Sequence, residues 1–363
     1  MTEVHQFLPT FAGRDAIGAH TLRLRRLLRD AGFGSDIYAV DTHDDVRHDA
    51  LAANAFPSRS GASSDAWILY HFSIGHPLFD RVRTFDARLA LDYHNITDAT
   101  YFWRWEPRAA TTMLEGRRQL AVAAPAVEFG VADSEFNRQE IADLQCPRTA
   151  VAPILVDFRE FDATPDADLL ASRRRARAGG GLDWLAVGRI APNKCVHDIV
   201  LAFAVYRRLH DPRARLTLVG GQSAGLYWRA LHKLAADLDV ADAVTFTDVV
   251  SHAELLACYR TADVLLCLSE HEGFNVPVVE AMYFDVPVIA YAAAAVPDTV
   301  GDAGLLLADK DPVVVATAVE RLRSDPSLRQ SLVEAGRKRV EHFSIERTGP
   351  QWIDTLTSLI NTR

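Results

Sequence analysis

Short apolar runs alternate with segments of helical period almost from end to end of the chain, in two successive series. The first series of strand-like runs is Val4–Leu8, Asp36–Val40, Trp67–Tyr70, Leu89–Tyr93 and Val127–Ala132. Amphipathic stretches lie between them, such as Ala19–Asp30, where Leu24, Leu27 and Leu28 line one face and arginines the other. The second series is Trp184–Val187, Arg215–Val219, Ala243–Phe246, Val264–Leu268, Val286–Ala290 and Gly304–Leu307. Helical patterns over Cys195–Leu209, Gly225–Leu238 and Ser251–Thr261 separate several of these runs. Such alternation predicts α/β architecture with parallel sheets covered by helices on both faces. Between the series, residues 153–181 carry two prolines, a charge run and three glycines, a composition suited to an inter-domain connection. The prediction is two Rossmann-like domains facing across a cleft. One spans 1–163 and regains the C-terminal helix 345–363; the other spans 164–344. The Arg173–Arg177 run reads as a solvated helix face.

The remaining composition narrows the class. With 49% hydrophobic and 24% charged residues, the chain is an ordinary globular protein rather than a disordered or low-complexity one. No run of about 18 uncharged apolar residues is present, and the N-terminus lacks the basic and apolar regions of a secretory signal. A cytoplasmic protein is expected. Cys146, Cys195, Cys258 and Cys267 stand singly, so neither a zinc framework nor a disulfide framework is expected. The net charge of −9 argues against binding bulk nucleic acid.

Ligands of such sheets bind beyond the carboxyl ends of the strands, which directs attention to the residues just after each run. After Trp184–Val187 come Arg189 and Lys194, two cations beside a helix N-terminus that itself favours anions. Gly220-Gly221 ends the next strand and permits either close backbone approach or a plain turn. After Val264–Leu268 the sequence reads SEHEGFNVPVVEAM. Here Glu272 lies in a Gly-containing loop, the amides of Gly273, Phe274, Asn275 and Val276 approach a helix start, Pro277 fits the first turn, and Glu280 follows. Carboxylates beside a phosphate site are reasonable as acceptors of sugar and ribose hydroxyls.

E-G-F-N-V-P-V-V-E resembles the E-x7-E signature of retaining glycosyltransferases of the GT-B fold, closest to glycosyltransferase family four, with a mannosyltransferase-like cast. The similarity extends through VGRIAPNK, LTLVGG, PVIAY and GDAGLLL, and in the first half through FAGRDAIG, DYHN and VADSEFN. It implies metal-independent transfer of a hexose, with retention, from a nucleotide sugar to a glycan or lipid-linked acceptor. GDP-mannose is the preferred donor and a UDP-sugar the next. By that resemblance Arg189 and Lys194 would hold the donor phosphates, and Glu280 the ribose. Glu272, with the Phe274 and Asn275 amides, would hold the transferred sugar. Gly220, Gly221 and Val250 would lie by the base, Val276 at the helix tip, Gly13 near the donor phosphate, and His94 near the anomeric centre. No cofactor or metal is implied; the strings Asp166-Ala167-Asp168 and Asp237-Leu238-Asp239 read as chance matches to a metal motif.

Asp15, His71, Ser73 and Trp103 are weaker acceptor-side candidates, and the stretch Tyr101–Trp105 reads slightly better as packing than as a sugar platform. Arg23, Arg25, Arg26 and Arg29 give the first helix a basic face, read as solvated, with contact to an anionic membrane as the alternative. Asn95-Ile96-Thr97 matches a glycosylation sequon that has no consequence in a cytoplasmic chain. Two other functions fit the same architecture: a UDP-N-acetylhexosamine 2-epimerase, and a non-catalytic protein that binds a sugar nucleotide.

Overall fold

The computed structural model describes residues 2–56 and 66–362. The chain divides into two units: Met1–Ala99, Arg108–Val156 and Phe343–Arg363 form the first, Thr100–Pro107 and Asp157–His342 the second. This division differs from one at residue 163 in two ways. The first unit ends its main run at Val156, and the aromatic stretch belongs with the second unit, where Trp105 packs edge-on to Tyr227 with ring centroids 5.2 Å apart.

In the first unit, β1 (Val4–Phe11), β2 (Ile37–Thr42), β3 (Leu51–Ala52), β4 (Trp67–Phe72), β5 (Arg88–Tyr93), β6 (Phe129–Ala132) and β7 (Thr149–Val151) form one parallel sheet in the order β3-β2-β1-β4-β5-β6-β7. In the second, β8 (Asp183–Val187), β9 (Arg215–Val219), β10 (Val244–Phe246), β11 (Val264–Cys267), β12 (Val288–Tyr291) and β13 (Gly304–Leu307) take the order β10-β9-β8-β11-β12-β13. Both are doubly wound, with the strand order reversing beside β1 and beside β8. The central strands are buried on both faces, β4 along its whole length, which is why they read as continuous apolar runs rather than alternating ones. Edge strands β3 and β7 have two and three residues, too short to leave a periodic trace.

The helix Ala167–Ala178 corrects the reading of Arg173–Arg177 as a purely solvated face. Arg173 and Arg177, one helical turn apart, point at the sheet: Arg173 donates to the hydroxyls of Thr261 and Thr217 at 2.6 and 2.9 Å, and Arg177 to the Thr261 carbonyl at 2.9 Å. The intervening Arg174 and Arg175 are exposed, and Arg177 keeps part of its side chain in solvent. Asp166 caps this helix by accepting from the Leu169 amide at 2.7 Å, and Asp237 pairs with Lys233. The basic helix Ala16–Asp30 is likewise engaged: Arg23 donates to the Leu155 carbonyl, Arg25 binds Asp49, and Arg29 binds Asp36 and the Ser35 carbonyl.

The last helix, Ile345–Asn361, belongs to the first unit and lies along Ala16–Asp30. Trp352 is its anchor. The indole N–H donates to the Pro153 carbonyl at 2.7 Å and the ring sits 5.0 Å from His20. Trp352→Ala is expected to remove about 3–5 kcal/mol of first-unit stability through the cavity and the orphaned carbonyl. Urea unfolding measures this, and a loss under about 1 kcal/mol would contradict the anchoring role.

Candidate functional site

The loops after β8 and β11 meet beside the point where the second strand order reverses. After β8 the chain turns at Gly188, whose φ of +138° is a backbone conformation that L side chains rarely adopt. Arg189 follows, and a short turn Pro192–Lys194 leads into the helix Val196–Leu209. Asn193 joins this loop to the one after β11: its side-chain amide donates to the His271 carbonyl at 3.1 Å, and its own carbonyl accepts from the Glu270 amide at 3.0 Å. That clamp brings Lys194 Nζ to 2.6 and 2.7 Å from the two oxygens of Glu272. The Glu272 side chain is 7% exposed and that of Lys194 23%, so this pair is largely removed from water.

The turn after β9 packs against the β8 loop but is not among the residues lining the concavity. Gly220 has φ of +141° and its amide donates to the Asp248 carbonyl, while the Gly221 carbonyl accepts from the Ile190 amide at 2.9 Å. A Cβ on Gly220 would stand 2.1 Å from the Gly188 carbonyl oxygen, so the Gly-Gly turn is dictated by two loops crossing at backbone distance. Glycine is required there for packing.

Arg189, Lys194, Glu272 and Asn275 line one concavity, together with Gly188, Ser269 and Pro277. Asn275 takes a left-handed conformation (φ +79°) as the N-cap of the helix Val276–Tyr283, with no side chain capping the helix start. Its side-chain amide instead donates to Cys267 Sγ at 2.9 Å. Phe274 is buried, and its carbonyl accepts from Thr299.

Glu280 lies outside that lining set. It is half-buried in the same helix and its Oε2 accepts from the Tyr259 hydroxyl at 2.6 Å. Burial, with the Glu280 charge alongside, holds the Tyr259 phenol well above its usual range, so Tyr259 stays a donor. Val250 packs against the core and Ser251 caps the helix His252–Tyr259 in a reciprocal capping box with Glu254. A second cation, Lys310, lies beside the clamp, paired with Asp198 and Glu270 at 2.7 and 2.5 Å. Asn193, Gly188, Tyr259 and Lys310 carry no sequence signal of their own, Lys310 because it arrives from beyond β13.

In the first unit the candidates separate. Gly13 approaches Val46, and Asp15 caps the helix Ala16–Asp30 by accepting from the Ile17 and Gly18 amides at 2.7 and 3.1 Å. Ser73 is half-buried; Trp103 is 47% exposed and belongs to the second unit. His94, expected beside a ligand, is instead enclosed: its side chain is 1% exposed. Its Nδ1 lies 3.0 Å from Asp133 and its Nε2 2.9 Å from His71 Nδ1, with Asp92 and His20 completing a buried cluster. Burial alone would lower the His94 pKa, but the Asp92 and Asp133 carboxylates outweigh it and hold it well above the usual value. Of these five residues only Asp92 and His94 are near in sequence, so no spacing rule reveals the cluster.

With this geometry in view, comparison with known proteins becomes informative. Residues 172–339 match the family model described as glycosyl transferases group 1. This segment belongs to that family. The chain is 34% identical over 255 residues to D-inositol 3-phosphate glycosyltransferase of Geodermatophilus obscurus, covering 68% of this chain and 54% of that protein. It therefore spans about half the length of that curated relative. Sucrose-phosphate synthase from Thermosynechococcus elongatus superposes with a TM-score of 0.77 at 19% identity, over 100% of both chains. Anabaena Alr3699/HepE in complex with UDP-glucose gives 0.74 at 15% identity, over 99% of this chain and 100% of the other. The fold is GT-B.

The clamp has a thermodynamic signature. Lys194→Met or Glu272→Gln alone strands a largely buried partner, whereas the double variant removes both charges. A double-mutant cycle by denaturant unfolding is expected to give a coupling of about 1–3 kcal/mol. Strict additivity would show that the pair contributes nothing.

Proposed function

We propose that this chain is a retaining, metal-independent hexosyltransferase that takes its sugar from a nucleoside-diphosphate donor. The observation that carries the reading is the convergence of Arg189, Lys194, Glu272 and Asn275 on one concavity beside the reversal of strand order in the second sheet. Cleaving the bond from sugar to phosphate builds positive charge on the sugar ring and negative charge on the departing diphosphate. Arg189 and Lys194 stabilise the departing anion, aided by the uncapped amides at the start of the helix Val276–Tyr283. Lys194 is already fixed on Glu272, so little reorganisation accompanies donor binding. Glu272 accepts hydrogen bonds from hydroxyls of the transferred sugar. Glu280, oriented by Tyr259, accepts from the ribose.

GDP-mannose is the donor favoured by resemblance, and a UDP-sugar is the close alternative, given the UDP-glucose complex of the Anabaena neighbour. The acceptor is a glycan, a lipid-linked sugar or, by the name of the Geodermatophilus relative, an inositol phosphate. No helix among the described residues is long and apolar enough to cross a membrane; a cytoplasmic reaction is part of the proposal. Arg23, Arg25 and Arg29 of the first helix bind within the fold while Arg26 is exposed, and contact with an anionic membrane is a secondary part of the proposal.

Thermal-shift titration with UDP and GDP, followed by turnover with UDP-glucose and GDP-mannose, tests this reading. One nucleotide is expected to raise the unfolding midpoint, and its sugar to be transferred with its anomeric configuration kept, as read by NMR. Arg189→Ala is expected to lower turnover by about 10²–10³-fold, while Glu280→Ala weakens nucleotide binding. An inverted product, an epimer formed without acceptor, or binding without turnover would overturn it in favour of another function.

A further inference from the structure

We propose that the buried cluster at the carboxyl ends of β4, β5 and β6 is a binding site for one divalent transition-metal ion, with zinc the best fit. Its ligands are His71 Nδ1, His94 Nε2 and the Asp92 carboxylate. The inference is independent of the donor site, which lies in the other unit.

The argument begins with hydrogen bonds at the outer edges of the rings. Gln6 Nε2 donates to the Thr21 carbonyl at 3.1 Å, which turns Gln6 Oε1 toward His71 Nε2 at 2.9 Å. His71 Nε2 therefore carries a proton. His94 Nδ1 faces Asp133 Oδ1 at 3.0 Å and carries one too. In the neutral form of each ring the inner nitrogen then presents a lone pair, and those two nitrogens lie 2.9 Å apart. Asp92 Oδ2, another acceptor, lies 3.2 Å from His71 Nδ1 and 3.4 Å from His94 Nε2. Three electron-rich atoms thus form a closed triangle in a site whose three side chains are 0–1% exposed.

One proton on one ring joins at most part of that triangle, whereas a cation satisfies all three corners at once. The size is right: tetrahedral zinc with bonds of about 2.0–2.1 Å has ligand-to-ligand edges of about 3.3 Å. The charges also balance. Asp92 and Asp133 bring two negative charges into the core, and a divalent ion with neutral imidazoles cancels them. Asp133 and Gln6 then act as the outer hydrogen-bond partners that fix imidazole tautomers at metal sites. Asp92 Oδ1, buried with no hydrogen-bond partner, is available as a fourth donor atom.

His20 is excluded as a ligand. Its Nδ1 accepts from the Leu155 amide at 3.1 Å, so its Nε2 carries the proton and donates to Asp92 Oδ2 at 3.0 Å. A second group, Cys195, His197 and Asp198, is a poorer candidate. Lys310 already supplies positive charge to Asp198, the Tyr227 hydroxyl engages His197 Nδ1, and burial pushes the Cys195 thiol up to about 11. In the first cluster the ion ties together the ends of β4 and β5, fixing the backbone that leads to Ser73 and Asn95.

The test is metal content of the tag-free full chain, expressed with added zinc and analysed by plasma mass spectrometry. About one zinc per chain is expected, with a lower unfolding midpoint after chelation that zinc restores. Cobalt substitution is expected to give the visible bands of a tetrahedral nitrogen and oxygen site, without thiolate charge-transfer absorption. His71→Gln/His94→Gln loses the ion, while Cys195→Ser/His197→Gln retains it. Less than about a tenth of an ion per chain overturns the proposal and leaves a proton shared between the two rings. Thiolate absorption, or metal lost only in the Cys195 variant, overturns it in favour of the second group. Should the double histidine variant not fold, the cobalt spectrum of the unaltered chain decides.

Discussion

The Lys194–Glu272 ion pair depends on two loops that neither element supports alone. Burying either charge singly is costly, and the pair forms only because Asn193 clamps the loop after β8 to the loop after β11. The strand-order reversal puts those two strands side by side while sending their connections to opposite faces. Gly188 and Gly220 then allow the β8 and β9 loops to cross at a distance that any Cβ on Gly220 would prevent. Arg189 and Asn275 inherit their positions from this arrangement. The concavity is a consequence of sheet topology sharpened by one ion pair and two backbone crossings.

The two units solve the problem of buried polarity differently. In the second, charge at the strand ends sits in largely buried pairs, Lys194–Glu272 and Lys310–Asp198, beside the concavity. In the first, three imidazoles and two carboxylates are closed off from solvent and tied to Gln6, Thr21 and the Leu155 amide. A network so buried is retained only when every member is satisfied, and Asp92 Oδ1 is the one member left over.

Much of this was legible in the sequence. Eleven of the strands announce themselves as apolar runs, the central ones because parallel strands are buried on both faces, and Arg215–Val219 and Gly304–Leu307 coincide with their runs. The strand–loop–Pro–helix setting of Glu272 was equally readable, since Pro277 marks the first turn. What escaped was either too short, as with β3 and β7, or assembled from distance. Asn193 has no periodic signature, Tyr259 sits inside an apolar helix, and the His94 environment draws on four separate elements. His94 shows the limit of position as evidence: standing just after a strand places a residue at the ligand-bearing end of the sheet, but packing decides whether its ring faces outward.

Amide hydrogen exchange with and without a saturating nucleoside diphosphate tests the central claim most directly, because it reports where the anion sits without requiring an acceptor. The account predicts slowed exchange confined chiefly to residues 188–194 and 269–276. Protection elsewhere in the chain, with these two loops unchanged, would contradict it.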